Sequence, residues 1–504
     1  METESLQLIA ASNRWSALLP EIILGCFAVL ILFIDLMLPR LRSQLARISI
    51  GAQLIAGILL ALGISSNCGR TEADVLFGGL VTQDNPTDWM RLFFLGCSIF
   101  VTHIGSVFLR KQNLAKVELY HLILVVTAAF MVLVQSHHFL SLFVALETVT
   151  IGFYILVAYK RDSRPSLEAG LKYLIMGAFS SGMLLFGIAL LYGAASNPEL
   201  AMTARHPLSF LELNTFISAS SEFANNSTNL MVVFGAILVL VGICFKIGVV
   251  PFQIWIPDVY QGAPTPVTSF LAVSSKAAGF YILYLLLNGP FAALSAVTVP
   301  LLTIVAILTL IFGNIAALGQ RNVKRVMGMS GVAHAGILLM GLLASLKVDW
   351  ALLAVFFYLV TYALASFGVF EVMAHVADEA DADQDLDHYD DLLKKQPYLG
   401  GILLISLGSL AGIPPLAGFI AKLLIFIAAI QAGLYWVVGF ALAGVVISIY
   451  YYFGWMRAAV MHNPFLADQA PRAISAPCLG ARVMMGLLAG ATLLLGFYQG
   501  FFPF

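Results

Sequence analysis

The sequence has few charged residues, and this shortage excludes an ordinary soluble fold. Asp, Glu, Lys and Arg make up 11% of the 504 residues, whereas soluble domains carry about 25%. Hydrophobic residues make up 60%, and the mean hydropathy is +0.94. Because no soluble core could bury so much apolar chain, lipid must be the solvent for most of it. The formal net charge of −1 gives no basic footprint for nucleic acid.

The sequence also lacks the motifs that bind nucleotides, redox groups and metals. It contains no P-loop, no dinucleotide fingerprint and no Cys/His metal spacing. The cysteines, none of which is in a Cys-x-x-Cys pair, are interpreted as small buried hydrophobic residues: Cys26, Cys68, Cys97, Cys244 and Cys478. We therefore expect no cofactor and no metal on this chain.

Apolar runs long enough to cross a bilayer recur along the whole chain. A transmembrane helix needs about 20 mostly apolar residues. Such runs lie at residues 17–38, 46–64, 90–109, 119–136, 139–159, 169–194, 230–260, 264–288, 297–318, 324–346, 350–375, 397–432, 434–458 and 480–501. The sequence thus predicts an all-α membrane protein with about 14 transmembrane helices, here called spans 1 to 14. Spans 7 and 12 are too long for one straight helix.

The basic residues orient these spans. If every run crosses the membrane, most of the 26 Lys and Arg residues fall on one side, here called the basic face. They cluster in segments 40–47, 110–116, 160–172, 321–325, 394–395 and 457–482. The positive-inside rule places this face in the cytoplasm, so both termini are expected outside.

The segment 376–396, on the basic face, is rich in acidic residues. The spacing of Asp381, Asp383 and Asp385 resembles an EF-hand, but Leu386 stands where the calcium loop needs Gly and Leu392 where it needs Glu. We interpret the segment as a solvated acidic loop, with contact to a partner as the alternative.

Lys246 is the first ionisable residue predicted at membrane depth. Such a residue costs about 3 kcal/mol on insertion scales, so it must face the protein interior and find partners. Pro251 cannot donate to the carbonyl of Ile247, which predicts a break in span 7 and free carbonyls that solvate Lys246. Glu147, in span 5, is the natural counter-charge. A third charge that competes for this glutamate would let the lysine exchange its proton.

Lys422 occupies a matching place in span 12. Pro414 and Pro415 free the carbonyls of Leu410 and Ala411, and here the lysine follows the break instead of preceding it. A broken helix that recurs five spans later with its lysine on the other flank is typical of two inverted five-helix repeats, spans 4–8 and 9–13.

These repeats divide the chain into four predicted segments. Residues 1–116 form an N-terminal three-helix segment and residues 117–290 the first repeat. Residues 291–460 form the second repeat, and residues 461–504 contain helix 14.

Two further residues complete the predicted line of titratable groups. Lys276 lies midway along span 8 among small residues, Ser274, Ser275 and Gly279, that allow another helix to approach closely. His334 on span 10 suits a relay between lysines. The alternative for Glu147 and the three lysines is a static ion pair or hydrogen-bonded strut, and for His334 it is a packing histidine.

Several other polar residues are given weaker roles. Asp258, after Pro257, is expected to cap the short half-helix beyond the break, with proton uptake as the alternative. Tyr154 and Tyr362 are candidates for supporting water chains. Packing or interfacial positions are expected for His103, His121, His137, His138, Glu21, Asp35 and the aromatic run 450–453.

These residues also resemble a known family. The segment 246–280, KIGVVPFQIWIPDVYQGAPTPVTSFLAVSSKAAGF, is similar to subunit N of bacterial NADH-quinone oxidoreductase, respiratory complex I, which has counterparts in the mitochondrial and chloroplast enzymes. Glu147 and the segments 325–336 and 412–422 support the resemblance, which covers essentially the whole chain. Related antiporter-like subunits differ after the Pro-Asp of the first segment.

The resemblance implies a fold, a function and a set of partners. It implies fourteen helices with two inverted repeats and broken helices 7 and 12. Glu147 and Lys246 would form the coupling pair, and Lys276 and His334 would lead to Lys422, nearest the outside exit. The chain would be a proton-translocating, non-redox subunit with no flavin, iron–sulfur cluster or NADH site. It would lie in a bacterial inner membrane beside other antiporter-like and peripheral subunits, with quinone reduction elsewhere.

Two other functions stay open. An Mrp-type cation/proton antiporter subunit shares the fold, and sodium is the alternative to the proton as the carried ion. A purely structural piece of a membrane arm would have no ion path at all.

Overall fold

The computed structural model is almost entirely helical. It describes residues 12–66, 73–112, 114, 117–196, 206–220, 227–377, 381–462, 474 and 476–498. The helices in these ranges are α1 (Leu19–Met37), α2 (Leu45–Ser66), α3 (Asn85–Lys111), α4 (Val117–Val134), α5 (Phe139–Val157), α6 (Arg164–Ala195), α7 (Phe210–Ser220), α8 (Ser227–Ile247), α9 (Ile256–Gly262), α10 (Thr265–Asn288), α11 (Ser295–Leu318), α12 (Val323–Ser345), α13 (Ala351–Val376), α14 (Leu392–Lys395), α15 (Pro397–Ala411), α16 (Ala417–Gln431), α17 (Tyr435–Val460) and α18 (Leu479–Phe497).

Strands are few in the described residues. A two-stranded antiparallel hairpin, β1 (Asp74–Leu76) and β2 (Val81–Gln83), precedes α3. Asp74 pairs with Gln83, and an isolated bridge joins Val81 to Ser136 at the end of α4. The hairpin therefore lies at the membrane face opposite the basic face.

The number of crossings agrees with the prediction. Thirteen helices of the described chain are long and apolar enough to span a membrane. The shorter apolar helices α15 and α16 together occupy the predicted span 12. The all-α multi-pass fold is thus confirmed, whereas the inverted relation of spans 4–8 to spans 9–13 stays a prediction.

Both predicted helix breaks are present. Helix α8 ends at Ile247, where Gly248 has a φ of 77°, and α9 begins only at Ile256. Helix α15 ends at Ala411, where Gly412 has a φ of 83°, and α16 begins at Ala417. A positive φ suits glycine because it has no Cβ. Each break ends one half-helix inside the protein and leaves its last carbonyls without intrahelical partners.

Burial places α12 and α10 at the centre of the bundle. The most apolar stretch of α12 is 100% buried, and that of α10 is 89% buried, whereas those of α1, α2 and α11 are 28% buried. The predicted sites for Lys276 and His334 are therefore on the two most enclosed helices.

The acidic segment is only in part the solvated loop that its composition predicts. Asp383, Asp385 and Asp387 are exposed, as predicted. Asp381 is buried and accepts hydrogen bonds from Lys324 Nζ at 2.6 Å, Thr265 N at 2.9 Å and Thr265 Oγ1 at 2.7 Å. The backbone N–H of Val323 donates to Gln384 O, and that of Leu386 donates to Arg321 O. Residues 381–391, here called the strap, thus tie α10 to α12 at the basic face. Asp378 and Glu379 lie outside the described residues.

Two other expectations need correction. Cys26 and Cys478 are exposed, so only Cys97 and Cys244 are the buried hydrophobic residues that were predicted, and Cys68 lies outside the described residues. Glu21, expected at the interface, is buried against Arg91, whose Nη2 lies 2.7 Å from Glu21 Oε2. In both cases the hydropathy of a run does not tell which side of its helix faces the interior.

Replacement of Lys324 by Met should lower the free energy of unfolding by about 3–5 kcal/mol, because it leaves the Asp381 carboxylate buried without its partner. The measurement is thermal unfolding of the purified protein in detergent. The matched control is Arg14→Met, because the Arg14 side chain is 58% exposed in its pair with Asp74 and such pairs contribute only about 0–1 kcal/mol. Equal losses in the two variants would contradict the structural role of the buried pair.

Candidate functional site

The three predicted lysines and His334 are all buried inside the protein. Their exposed fractions are 6% for Lys246, 3% for Lys276, 5% for His334 and 5% for Lys422. They lie on four different helices, α8, α10, α12 and α16. None points into lipid, so each must find polar partners within the chain.

Lys246 finds a hydroxyl rather than a carboxylate. Its Nζ donates to Thr150 Oγ1 at 2.7 Å, and it lies in the last turn of α8, where the negative end of the helix dipole favours a cation. The expected solvation by freed carbonyls is wrong for this residue. The Thr150 hydroxyl takes that place, one turn beyond Glu147 on α5.

Glu147 lies beside this site without a direct ion pair to Lys246. It is half-buried and accepts a hydrogen bond from Ser181 Oγ on α6 at 2.5 Å. Tyr154, two turns further along α5, has a buried hydroxyl with no hydrogen-bond partner in the structure. A buried polar atom of this kind marks a place for an ordered water.

Lys276 contacts α12 and α13. Its Nζ donates to Gly331 O at 2.5 Å and lies 3.4 Å from Tyr362 Oη. A π-helical turn, Leu271–Ser275, immediately precedes it, and such turns occur often at functional sites. The predicted close approach also holds, because a Cβ on Gly279 would lie 2.8 Å from Ile247 Cγ1.

His334 is held by two tyrosine hydroxyls. Its Nδ1 is 2.6 Å from Tyr358 Oη, its Nε2 is 3.1 Å from Tyr452 Oη, and its ring centre is 5.0 Å from that of Tyr362. Tyr452 was expected in an interfacial aromatic run, which is wrong because it is fully buried. Tyr450, in the same run, is 74% exposed as predicted.

Lys422 binds the carbonyls that the prolines release. Its Nζ donates to Leu410 O at 2.8 Å and to Ala411 O at 3.0 Å, the two carbonyls that the sequence predicts to be free. A cavity of about 10 Å³ lies beside Lys422, Ser409 and His334. This is roughly the smallest space that holds one water molecule.

The polar contacts form a line with one gap. Tyr362 contacts both Lys276 and the ring of His334, and the small cavity joins His334 to Lys422. Between Lys246 and Lys276 the described structure gives only the packing of Ile247 on Gly279. The hydroxyl of Ser274, two residues before Lys276, lies toward Cys97 of α3 and does not bridge this gap.

Asp258 does not cap the half-helix. It lies in the first turn of α9, but its carboxylate accepts from Lys172 Nζ at 2.7 Å and from Arg325 Nη1 at 2.9 Å, and it makes no cap hydrogen bond. Two cations on other helices, Lys172 on α6 and Arg325 on α12, hold the carboxylate instead.

One buried titratable group escaped the sequence analysis. Glu371 on α13 is 1% exposed and lies 3.2 Å from His103 Nδ1 on α3, with His375 one turn away. It stands near the end of a span, where a glutamate ordinarily reaches water. The Glu-x-x-x-His spacing within an apolar run is the signal that could have identified it.

The remaining histidines have structural partners. His121 Nδ1 is 2.9 Å from Ala28 O, and His138 Nδ1 accepts from Leu140 N at the start of α5. Burial lowers the pKa of His137 and of His138 below the ordinary histidine value. Both are therefore neutral at neutral pH, in agreement with a packing role.

Comparison with known proteins places the whole chain in one group. The family described as NADH:quinone oxidoreductase/Mrp antiporter, transmembrane, matches residues 136–448. NADH-quinone oxidoreductase subunit N 1 of Opitutus terrae is 52% identical over 99% of this chain and 98% of its own length. A chain of respiratory complex I from Thermus thermophilus superposes with a TM-score of 0.76 at 28% identity, over 96% of this chain and 98% of that one. A chain of the Mrp complex from Dietzia shares the fold, with a TM-score of 0.76 at 20% identity over 95% and 94%.

Replacement of Gly331 by Ala should destabilise the protein by about 1–3 kcal/mol through overpacking. The added Cβ would lie 2.9 Å from Lys276 Nζ and 3.3 Å from Tyr362 Oη, and would push the ammonium off the Gly331 carbonyl. The control is Gly401→Ala in α15, where a Cβ meets open space and helix propensity favours Ala by about 1 kcal/mol. Thermal unfolding in detergent compares them, and a Gly331→Ala protein as stable as the control would refute this packing.

Proposed function

The chain belongs to the NADH-quinone oxidoreductase subunit N family, and on this basis we propose that it moves protons across the membrane without redox chemistry of its own. The observation that carries the proposal is the neutral set of partners around Lys246, Lys276 and Lys422, which are hydroxyl and carbonyl oxygens. An amine with neutral partners can lose its proton without leaving a counter-charge buried alone. Lys324, by contrast, forms a buried ion pair with Asp381, which is the static arrangement that the three lysines lack.

Glu147 is proposed to control the charge on Lys246. The two residues lie around Thr150, close enough for attraction but not in a fixed pair. While the carboxylate is near, the ammonium form is favoured. When a charge on a neighbouring subunit draws the carboxylate away, burial favours the neutral amine and the proton leaves. Because Glu147 is half-buried, a neighbour can reach it.

The proton then moves through hydroxyl groups and an imidazole. Lys276 gives a proton toward Tyr362, whose hydroxyl receives one as it donates another. His334 exchanges the proton on Nδ1 with Tyr358, whose side chain lines the small cavity together with Tyr362. Water in the small cavity carries it to Lys422. The carbonyls of α15 then stabilise the new ammonium ion until it discharges toward the outside.

Asp258 and Tyr154 are proposed to act at the start of the proton path, ahead of Lys246. Asp258, with Lys172 and Arg325, forms a charged group near the basic face and is proposed to take part in proton uptake. Tyr154 is proposed to hold a water beside Glu147, because its hydroxyl lacks a protein partner.

The proposed setting follows from the charge pattern and the family. The basic face is the cytoplasmic side of a bacterial inner membrane, and both termini face outward. The chain carries no cofactor, and other membrane and peripheral subunits of the oxidoreductase reduce quinone and drive the charge changes. The four-segment division with two inverted repeats is part of the same proposal.

An Mrp-type cation/proton antiporter is the second candidate because the Dietzia chain shares the fold. The 52% identity to a subunit N over nearly the full chain favours the first candidate. Sodium is disfavoured as cargo, since a line of buried amines repels a cation that has no proton to give. Co-purification with redox subunits, and pumping that does not depend on sodium, would separate the two functions.

Lys246→Ala should lower the number of protons pumped per NADH oxidised by the share that this chain contributes, because it removes a proton carrier from the line. The measurement is proton uptake into inside-out membrane vesicles during NADH oxidation, with assembly checked by immunoblot. Glu147→Ala should give a similar loss.

Lys347→Ala is the matched control. This lysine is exposed, and its ammonium group lies 3.4 Å from the carbonyl oxygen of Ala432, away from the polar line, so pumping should stay at the wild-type value. Wild-type pumping by an assembled Lys246→Ala complex would instead support the purely structural role.

A further inference from the structure

A wide apolar groove lies between α3, α10 and α13, apart from the polar line. Its volume is about 830 Å³, and its walls include Phe93, Phe280, Phe356 and Phe367. Phe280 stands one turn beyond Lys276 on α10. The side chains of α10 around Phe280, here called the Lys276 wall, therefore separate Lys276 from the groove.

The length of the groove matches one leaflet of a bilayer. Along α3 it runs from Asn85 to Phe100, and along α13 from Leu352 to Phe367. At 1.5 Å per residue, each distance is about 22 Å. Half of a bilayer, with its headgroup region, measures about 20–22 Å. The groove thus begins at the face opposite the basic face and ends near mid-membrane.

Below its mouth the groove is lined by aromatic and aliphatic side chains, among them Leu92, Phe93, Phe356 and Leu364. Flexible hydrocarbon chains can fill a space with such a lining.

The mouth of the groove is polar and carries negative charge. Asn85 and Asp349 line it, and Trp89 is half-exposed there, as is typical of aromatic side chains at the headgroup level. Asp84, which caps α3, adds a second carboxylate. The two nearby cations face elsewhere, because Arg91 is buried with Glu21 and Asp88, and Lys347 points to the end of α16.

We propose that this groove binds a phospholipid whose headgroup carries a primary amine. Phosphatidylethanolamine has such a headgroup. The ammonium group lies at Asp349, and the acyl chains fill the space between α3, α10 and α13. An anionic headgroup without an amine would meet the same carboxylates and be repelled. The bound chains keep the outer side of the Lys276 wall dry, so protons do not leak around it.

The test uses membranes that contain the full chain in its assembly, supplied with phosphatidylethanolamine that carries a photoreactive acyl chain. After irradiation, mass spectrometry measures the lipid label on peptides 85–111 and 351–376. Gly96 lines the groove, and a Cβ there meets nothing within 4 Å. Gly96→Leu should fill the groove and lower the label about fivefold or more. Gly439→Leu, on open surface of α17, should leave it unchanged.

The headgroup is tested with phosphatidylglycerol that carries the same acyl chain. It should label the wild type less than phosphatidylethanolamine does, and Asp349→Asn should abolish the difference. Equal labelling by both lipids in the wild type, or unchanged labelling of Gly96→Leu, would overturn the proposal. So would capture of a neighbouring subunit's helix in the groove. If Gly96→Leu does not assemble, competition replaces this variant: an excess of unlabelled phosphatidylethanolamine should lower the label on the wild type. A label that does not fall would also overturn the proposal.

Discussion

The rule that governs this molecule is that no backbone polar group can be left unpaired inside a lipid bilayer. Two helices stop within the bundle, at Ile247 and Ala411, and each leaves carbonyl oxygens that a continuous helix would have used. An ammonium group placed at a helix C-terminus needs such oxygens. At Lys422 the ammonium group donates directly to the free carbonyl oxygens, so the helix break and the buried charge stabilise one another.

The structure separates two ways of burying a lysine. Lys324 is fixed by Asp381, and the strap around that pair holds α10 and α12 together. Lys276 and Lys422 instead rest on carbonyl groups, and Lys246 on a hydroxyl. The first arrangement requires a permanent charge. The second tolerates either charge state, which is what a carrier of protons needs.

The sequence predicts well whatever depends on local chemistry. Pro414 and Pro415 dictate which carbonyls become free, and Lys422 in the next half-helix binds those two carbonyls. Hydropathy likewise predicts the spans, because the length of a crossing is set by the bilayer. These predictions hold because each rests on residues within a few turns of one another.

The errors come from contacts between distant segments. Asp381 stands in an acidic run, and nothing local indicates that Lys324 and Thr265 will enclose it. Tyr452 lies among aromatic residues that suit a membrane interface, yet the rotation of α17 turns this one toward His334. The pairing of Glu371 with α3 has the same origin. Such contacts depend on helix rotation, which neither hydropathy nor propensity determines.

The half-buried position of Glu147 bears on how such a chain is produced in the cell. A carboxylate at the edge of the bundle, held only by Ser181 among the described residues, is poorly accommodated while that edge faces hydrocarbon. A neighbouring chain that supplies a polar partner at this edge would therefore stabilise the carboxylate. Surplus copies made without their neighbours would be the ones that membrane proteases recognise, and synthesis would be matched to assembly without a separate regulator.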